Sequence, residues 1–458
     1  MSGLFGAGYI GLRALATGLP AWFLANPRTA SADDLKCALD AADKLQSLIV
    51  SVSSNGDPIN CNCPGTYEDT TAIHPQQATV APLPVTLGGK SYGAATPWGT
   101  LGEATLARTS FFHHVTLSIV HGDQPKVMRL MGATSGGEML VSAYAKHLAP
   151  CLGTVQTEPV SVGARGNSSE LVSFAGRSLP SVSPTQLRQL LTGSGASGGF
   201  QGGSGAKNTL VQLRSMRDKQ LDALYALAKT DATGVQKDFI DALSASQVQV
   251  RRLAESLADT LSKINGDDTA GQALAAAALI AAKVTPVVTM HVPFGGDNHN
   301  DADLQAEADQ TVSGVAGIQA VLDALSAMSL SDKVTFATLN VFGRNLNGIS
   351  KVESRQGRDH YGNHSVCVMI GKNVASSVIG GVLPVAGQGS SGALGAADID
   401  SATGAGVAGG DIPRTETHVA MARTLGVALG IPSSALGSDF IASAGGKVVN
   451  AALNGVTG

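Results

Sequence analysis

The chain has 458 residues, of which 43% are hydrophobic and 14% are charged, and its formal net charge is −4. This balance supports a large buried core and argues against an intrinsically disordered protein. No dense basic patch with interleaved aromatic residues occurs, so nucleic acid is not an expected partner. The five cysteines are irregularly spaced and do not predict a zinc finger. They are expected to be buried thiols, with one disulfide as an alternative if the protein is exported.

Residues 1–32 contain an apolar stretch that ends in Ala-Ser-Ala at 30–32, which is similar to a signal-peptidase site. The first residues lack the basic side chains of a normal signal, and Arg13 interrupts the apolar run. We interpret the segment as a degenerate export signal or as an N-terminal helix that stays attached. Export would place the protein in the periplasm or outside the cell. The Ala-rich stretch 269–282 is too short to span a membrane, so no span is predicted.

The rest of the chain is expected to form one α/β domain that is interrupted by an insertion. Its predicted parts are a first half over 33–191, which opens with a helix over 33–46, a Gly/Ser-rich loop over 192–206, a helical insertion over 207–265, a second half over 266–435 and a tail over 436–458.

Six apolar, β-branched runs predict strands. They are SLIVSVSS (47–54), FFHHVTLSIVHG (111–122), EPVSVGA (158–164), VTPVVTMHVPF (284–294), KVTFATLNVFGR (333–344) and HSVCVMIG (364–371), and a hairpin is predicted around VTLGGKSYG (85–93). In the second half, strands alternate with helical patterns. This alternation predicts βαβ units and a mostly parallel central sheet flanked by helices.

Candidate site residues stand where these strands end. They are Asp57 after the first strand, Asp297 and His299 after the strand 284–294, Arg344 at the end of the strand 333–344, and Asp359, His360 and His364 just before the last strand. In open α/β sheets, ligands bind outside the carboxyl ends of the strands. Carboxylates and imidazoles gathered at one edge suit Zn²⁺, Mn²⁺ or a related divalent ion.

These groups also have purely structural explanations. Asp57 in NGDP is equally well explained by a turn, and the DNHND stretch at 297–301 by a polar loop or a helix N-cap. The segment 359–364, with an adjacent Asp-His pair and a second histidine, is harder to explain without a role. Three further histidines are interpreted as strand or turn residues: His113, His114 and His121.

The order of three motifs resembles the alkaline phosphatase/sulfatase superfamily and, within it, a family of exported bacterial sulfatase-like proteins of unknown function. GGDNHND at 295–301, VFGR at 341–344 and GRDHYGNH at 357–364 are similar to that family's Gly-Gly-Trp-Asp-x-His, Phe-Gly-Arg and Gly-x-Asp-His stretches. Residues 111–132 are similar to its segment around a histidine before a helix. The resemblance covers most of 45–435. It implies an alkaline-phosphatase-like fold that hydrolyses phosphate or sulfate esters with up to two divalent ions: Zn, Mn, Ca or Mg.

The resemblance also implies roles for single residues. The metal ligands would be Asp57 after the first strand, Asp297 and His299 for one ion, and Asp359, His360 and His364 for the other, with His418 as a further candidate. Arg344 would orient a small anionic ester through a bidentate fork.

Several departures from the family pattern keep other functions open. Val341 stands where the family commonly has an acidic residue, and no Trp precedes Asp297. After Asp57, no Ser or Thr opens a helix as a nucleophile would, and the nearest candidates are Thr66 and Cys63. The alternatives to a hydrolase are therefore an inactive member that acts as a structural or binding protein at the cell surface or in an assembly, and a protein with a single structural metal. A homo-oligomer is compatible with each.

Overall fold

The computed structural model describes residues 43–69, 71–154, 156–163, 181–192, 259–347, 356–385, 393–437, 440–441 and 446–458, together with parts of 216–257. The predicted signal and almost all of the helix predicted over 33–46 lie outside the described residues. So do residues 193–206 of the Gly/Ser-rich loop. Of the helical insertion predicted over 207–265, the longer described stretches are 219–230, which is helical, and 259–265, whose first four residues are helical.

The strands carry the labels used below. They are β1 (Ser47–Ser53), β2 (Pro82–Leu87), β3 (Lys90–Ala95), β4 (Thr109–His114), β5 (Val160–Ser161), β6 (Val287–Met290), β7 (Val334–Asn340), β8 (Gly343–Arg344), β9 (His360–Tyr361), β10 (Ser365–Ile370), β11 (Ser377–Ile379), β12 (Val382–Val385) and β13 (Ala393–Ala396). All six predicted strands and the predicted hairpin, β2–β3, are present.

A seven-stranded sheet forms the centre, in the order β11-β4-β10-β7-β1-β6-β5. Its strands pair in parallel except β10, which runs antiparallel to both β4 and β7. The α/β prediction with a mostly parallel sheet flanked by helices is thus confirmed, and the architecture is consistent with an alkaline-phosphatase-like fold.

The helices whose bounds are described cover both faces of the sheet. They are α1 (Ile59–Asn62), α2 (Thr96–Gly99), α3 (Glu103–Leu106), α4 (Gln124–Met128), α5 (Leu140–Leu152), α6 (Pro184–Thr192), α7 (Thr269–Ala281), α8 (Gln305–Ala327) and α9 (Thr417–Ala428). Along β1, Ile49 packs into the core that contains α7 and α8, whereas Leu48 and Val50 pack into the core that contains α5 and α9. Every residue of β1 is buried because both faces are covered.

The direction of β10 explains how the site assembles. The carboxyl ends of the parallel strands β1, β4, β6 and β7 meet at one edge of the sheet, and the antiparallel strand β10 begins at that same edge. The residues that precede β10 therefore join the loops that follow the other strands. At this edge β8 and β9 form a short ladder in which Arg344 pairs with His360.

One detail differs from the sequence prediction. The strand predicted over 111–122 ends at His114, because the chain then bends through Leu117, whose φ is 57°. After residue 304 the chain forms the single 23-residue helix α8. Within the parts of the chain that the structure describes, no helix has the length and apolar character that a membrane crossing needs.

Candidate metal centre

Asp297 lies at the centre of a group of imidazoles at the carboxyl edge of the sheet. Its Oδ1 is 3.0 Å from His299 Nε2 and 3.2 Å from His360 Nε2. Its Oδ2 is 3.4 Å from His121 Nε2. The side chain of Asp297 is 45% exposed and that of His121 is 39% exposed, so the group is open to solvent.

The hydrogen bonds of two imidazoles fix which nitrogen faces the carboxylate. His121 Nδ1 donates to Ser54 O at 2.7 Å, and His360 Nδ1 donates to Ile119 O at 2.7 Å. Because a carbonyl oxygen only accepts, each Nδ1 carries a proton, and Nε2 of the neutral ring is an acceptor. Both acceptors face the carboxylate of Asp297, which also only accepts. A cation between them, either a proton or a metal ion, would stabilise this arrangement, in which Arg344 Nη1 and His299 Nε2 also lie within 3.2 Å of Asp297 Oδ1.

A proton is the weaker of these two choices near neutral pH. Burial lowers the pKa of His360, and the charge of Arg344 acts in the same direction, although the hydrogen bond to Ile119 O opposes it. Burial raises the pKa of Asp297, but the polar groups around it, among them the charge and the hydrogen bond of Arg344, outweigh this effect and lower the pKa overall. The site therefore favours an ionised carboxylate beside a neutral imidazole, which is the protonation state that metal ligands need.

The three side chains fit a divalent ion. One ligand atom from each of His121, Asp297 and His360 lies within 4.8 Å of the other two. Zinc bonds of about 2.0–2.1 Å in a tetrahedral site place ligand atoms roughly 3.4 Å apart. The separations from Asp297 are of this size, 3.2 Å from Oδ1 to His360 Nε2 and 3.4 Å from Oδ2 to His121 Nε2. Zinc-bound histidines usually donate their second N–H to a carbonyl or carboxylate, as both imidazoles do here. The predicted metal site is thus supported as a group that could hold an ion, and the geometry does not identify the ion.

His299 and Asp359, two predicted ligands, lie at the margin of this group. His299 Nε2 is 2.9 Å from His360 Nε2, and His299 Nδ1 is 3.6 Å from Asp359 Oδ1. The side chain of Asp359 is 50% exposed. The structure therefore brings four of the six predicted ligands together at one edge: Asp297, His299, Asp359 and His360.

The stretch DNHND serves two purposes at once. Asp297 and His299 face the imidazole group, whereas Asp301 accepts from Ala306 N at 3.0 Å and from Glu307 N at 2.8 Å. The N-cap position of α8 is Leu304, so Asp301 stabilises the first turn of the helix from outside the cap position predicted for this stretch.

Arg344 holds the loops of the site together. Its guanidinium is 0% exposed. Its five N–H groups donate to Asn55 O and Gly56 O after β1, to Gly296 O and Asp297 Oδ1 after β6, and to Arg358 O, at 2.7 to 3.4 Å. Orienting an anionic substrate, the predicted role, would require Arg344 to give up some of these bonds. In this structure it positions Asp297 instead.

A second buried arginine supports the same loops and has no counterpart in the sequence prediction. Arg358 Nε and Nη2 donate to the two carboxylate oxygens of Glu307, and both side chains are fully buried. The remaining donors of Arg358 reach the carbonyl oxygens of Ile73, Asn345 and Leu346. Glu307 also accepts from Asn298 Nδ2 at 3.1 Å. This pair joins α8 to the loops that carry Ile73, Asn298 and Asn345.

Asp57, the predicted first-strand ligand, lies in a buried position beside the group. Its side chain is 1% exposed, and its Oδ1 accepts from Ser53 Oγ at 3.0 Å. Its Oδ2 is 3.7 Å from His291 Nε2. The structure therefore pairs Asp57 with His291 and does not include it in the group formed by His121, Asp297 and His360.

His364 and His418 are not brought to the metal group, which corrects their predicted placement. His364 is fully buried, with Nδ1 3.1 Å from Asn60 Nδ2 and Nε2 2.9 Å from His113 Nδ1. His418 Nδ1 is 3.2 Å from His114 Nδ1, and His418 Nε2 donates to Val127 O at 2.9 Å. Since protein atoms engage both nitrogens of each ring, these histidines form buried imidazole pairs in the core.

The candidate nucleophiles are also buried. Thr66 and Cys63 are both 0% exposed, and Cys63 Sγ lies 3.9 Å from Thr66 Oγ1. Burial raises the pKa of the Cys63 thiol well above its usual range. Neither side chain can reach a substrate at the exposed carboxylate of Asp297 without rearrangement. Val341 is likewise fully buried, in an apolar cluster with Val127 and Phe342.

His121 was interpreted from the sequence as a strand or turn residue, yet it supplies one of the three grouped ligand atoms. The available signal was local: Gly122 and Asp123 follow it directly, which is typical of a turn beyond a strand end. His113 and His114, in contrast, belong to the apolar run that forms β4.

Neither a protein-family model nor a curated protein matches the chain.

Proposed function

We propose that the chain is a metal-dependent hydrolase of phosphate or sulfate esters with an alkaline-phosphatase-like site. One observation supports this proposal above the others. The Nε2 atoms of His121 and His360 and the carboxylate of Asp297 are acceptors that face each other, and a divalent cation resolves their repulsion. The position of the group, outside the carboxyl edge of a parallel sheet, is where α/β enzymes bind substrates.

The protein side chains have separate roles in this proposal. His121, Asp297 and His360 hold the ion, while Arg344 fixes the position of Asp297. A bound divalent ion supplies a Lewis acid for an ester oxygen and lowers the pKa of water at the site. Because Thr66 and Cys63 are buried, we assign water as the nucleophile. Asp359, half exposed beside His299, is the side chain we assign as proton acceptor.

The alternative, an inactive member with a structural or binding role, is favoured by a different observation. All five N–H donors of Arg344 form hydrogen bonds within the protein. Arg344 therefore has no donor left with which to bind a substrate anion. This alternative predicts an intact fold without turnover of any ester.

Export to the periplasm or outside the cell forms part of the proposal. Cys151 is disulfide-bonded, whereas Cys61, Cys63 and Cys367 are free and buried. Disulfides persist mainly in oxidising compartments. A free-thiol titration of protein from secreted and cytosolic preparations would test this point.

The test of the proposed function begins with metal content. Protein purified without chelators or affinity metals is analysed by plasma mass spectrometry and then assayed against aryl and alkyl phosphate and sulfate esters. We expect one to two equivalents of metal and a hydrolytic activity that chelation removes. Asp297→Asn should abolish both, while His147→Gln, on α5 away from the group, should leave both unchanged. Absence of metal after incubation with excess ions would overturn the proposal of a hydrolase. Bound metal without turnover of any ester would favour the alternative of an inactive protein with a structural or binding role.

A further inference from the structure

The loop between β4 and His121 exposes three large apolar side chains. Leu117 is 46% exposed, Ile119 is 57% exposed and Val120 is 54% exposed. We call these three residues the apolar lip. Exposed apolar side chains that occur singly are ordinary on protein surfaces, whereas several within four consecutive residues form a patch of the kind that marks binding sites.

The lip is held in place by its backbone. Thr116 N and Leu117 N both donate to Gly362 O at 2.9 Å, and Val120 N donates to Ser118 Oγ at 3.2 Å. A Cβ on Gly362 would lie 2.6 Å from Ser118 O, so the two backbones approach more closely than any other residue at 362 would allow. The three apolar side chains are therefore exposed on a loop whose backbone is held in place by hydrogen bonds.

The same loop is joined to the metal group. Ile119 O accepts the hydrogen bond that sets the tautomer of His360. His121 follows Val120 directly, and its own Nδ1 is fixed on Ser54 O. The ring of Phe342, which is fully buried, stacks on His360 at 4.2 Å and meets His121 edge-on at 5.1 Å, so an apolar side chain packs behind the two imidazoles.

We propose that the apolar lip binds the organic group of the ester, so that the substrates carry an aryl or branched alkyl group next to the phosphate or sulfate. This inference rests on the proposed function, because it takes the group around Asp297 as the centre that binds the anion. Sites that join a few polar groups to apolar walls are typical for small organic ligands. An inorganic anion alone would leave the lip in water.

The charges around the lip favour a small ligand over a lipid surface. Asp297 and Asp359 are each about half exposed next to it, and the nearby Lys126 is paired with Asp123 at 2.7 Å. An acidic surrounding repels an anionic bilayer, which basic residues would attract.

The test compares two phosphonates that differ only in their organic group. Binding of phenylphosphonate and methylphosphonate is measured by calorimetry with Zn²⁺ present, for the wild type, for Ile119→Ser/Val120→Ser and for Leu117→Asn. Asn tolerates the left-handed backbone at position 117, which makes the last variant a second route if the double variant does not fold. Val407→Ser is the control, because Val407 is 39% exposed on a loop elsewhere in the chain. Association with phosphatidylglycerol vesicles is measured in parallel by sedimentation.

We expect phenylphosphonate to bind the wild type about tenfold more tightly than methylphosphonate. Both lip variants should reduce this preference to about twofold without changing methylphosphonate binding, and Val407→Ser should retain it. Equal binding of the two phosphonates, or a preference for phenylphosphonate that persists in both lip variants, would overturn the inference about the lip. The proposed anion-binding site around Asp297 would be unaffected by that result. If neither phosphonate binds, the anion centre of the proposed function fails and the inference fails with it. Vesicle association that depends on the lip, without a preference for the phenyl group, would assign the lip to a membrane surface instead.

Discussion

Arg344 and His360 pair directly across the β8–β9 ladder, and Arg344 also donates to Asp297 Oδ1 at 3.2 Å. One short ladder therefore sets the position of an imidazole and of the carboxylate that it faces. The guanidinium spans the loops after β1 and β6 with bonds that only a planar, five-donor group can make together. The arrangement makes Arg344 the residue on which the geometry around Asp297 depends most.

Replacing Arg344 should therefore affect stability before it affects substrate binding. We expect Arg344→Met to lower the free energy of unfolding by about 3–5 kcal/mol, because it leaves several buried carbonyl groups without a donor. Arg344→Lys should recover only part of the loss, since an ammonium cannot reproduce the fork. Urea unfolding measures both variants. If Arg344→Met instead left the stability unchanged and weakened phosphonate binding, Arg344 would have the role predicted from the sequence, which is to orient the anion.

The metal group gives a prediction about single imidazoles. We expect His121→Ala and His360→Ala each to weaken Zn²⁺ binding by at least about 100-fold, because removal of a ligand costs more than removal of its outer hydrogen-bond partner. His364→Gln, which changes a buried imidazole outside the group, should leave the affinity within about threefold of the wild type. Competition with a fluorescent chelator gives the affinities. A larger loss in the His364 variant than in the His121 variant would return the site to the ligand set predicted from the sequence.

The buried pair of Arg358 and Glu307 predicts strong coupling between the two side chains. Glu307→Gln should destabilise the fold by about 3–5 kcal/mol, since it leaves a guanidinium without its counter-charge in the core. The double variant Arg358→Met/Glu307→Leu should lose less than the sum of the single variants Arg358→Met and Glu307→Leu. A double-mutant cycle in urea measures the difference. Additive losses would mean that the two side chains act independently.

The buried histidines predict that the protein loses stability in mild acid. Burial lowers the pKa of His113 to about 4, of His114 to about 3 and of His418 to about 4 from an ordinary value of 6.5. Between that ordinary value and the lowered values, the unfolded chain binds protons that the folded chain does not. Above pH 6.5 the buried imidazoles therefore do not lower the free energy of unfolding. As the pH falls below this value, each of them lowers the free energy of unfolding by up to about 1.4 kcal/mol per pH unit.

Urea unfolding at several pH values between about 7.5 and 5 checks this decline. The variant His418→Gln should show a shallower dependence on pH than the wild type, because one titrating group has been removed. A slope that does not change in this variant would assign the acid sensitivity to other groups.

Much of the fold could be predicted because both faces of the sheet are covered. β1, β7 and β10 are buried along their whole length, which favours the runs rich in β-branched and apolar residues that mark them in the sequence. The antiparallel direction of β10 has no such mark. Only the pairing with β4 and β7 reveals that the residues before β10 share an edge with the loops after the parallel strands.

The site was predictable only in part, for a related reason. Asp297 and His360 stand in short polar stretches next to strands, where sequence patterns indicate a function. His364 stands in the same kind of stretch, yet its ring turns into the core toward His113. His121 enters the group because the chain bends after β4, and the bend depends on bonds from Thr116 N and Leu117 N to Gly362 O, far away in the sequence. The turn residues Gly122 and Asp123 mark a bend in the sequence, but such long-range backbone contacts leave no local signal of where the bend places His121.

The antiparallel strand β10 has a further consequence for how the protein reaches its native state. The contact between Ile119 O and His360 Nδ1 joins residues that are 241 positions apart, and contacts of such sequence separation form slowly because a long loop must close first. A nascent chain must therefore extend beyond His360 before Asp297 can meet both of its grouped imidazoles. A metal ion that required all three side chains would therefore bind only after these long-range contacts had formed.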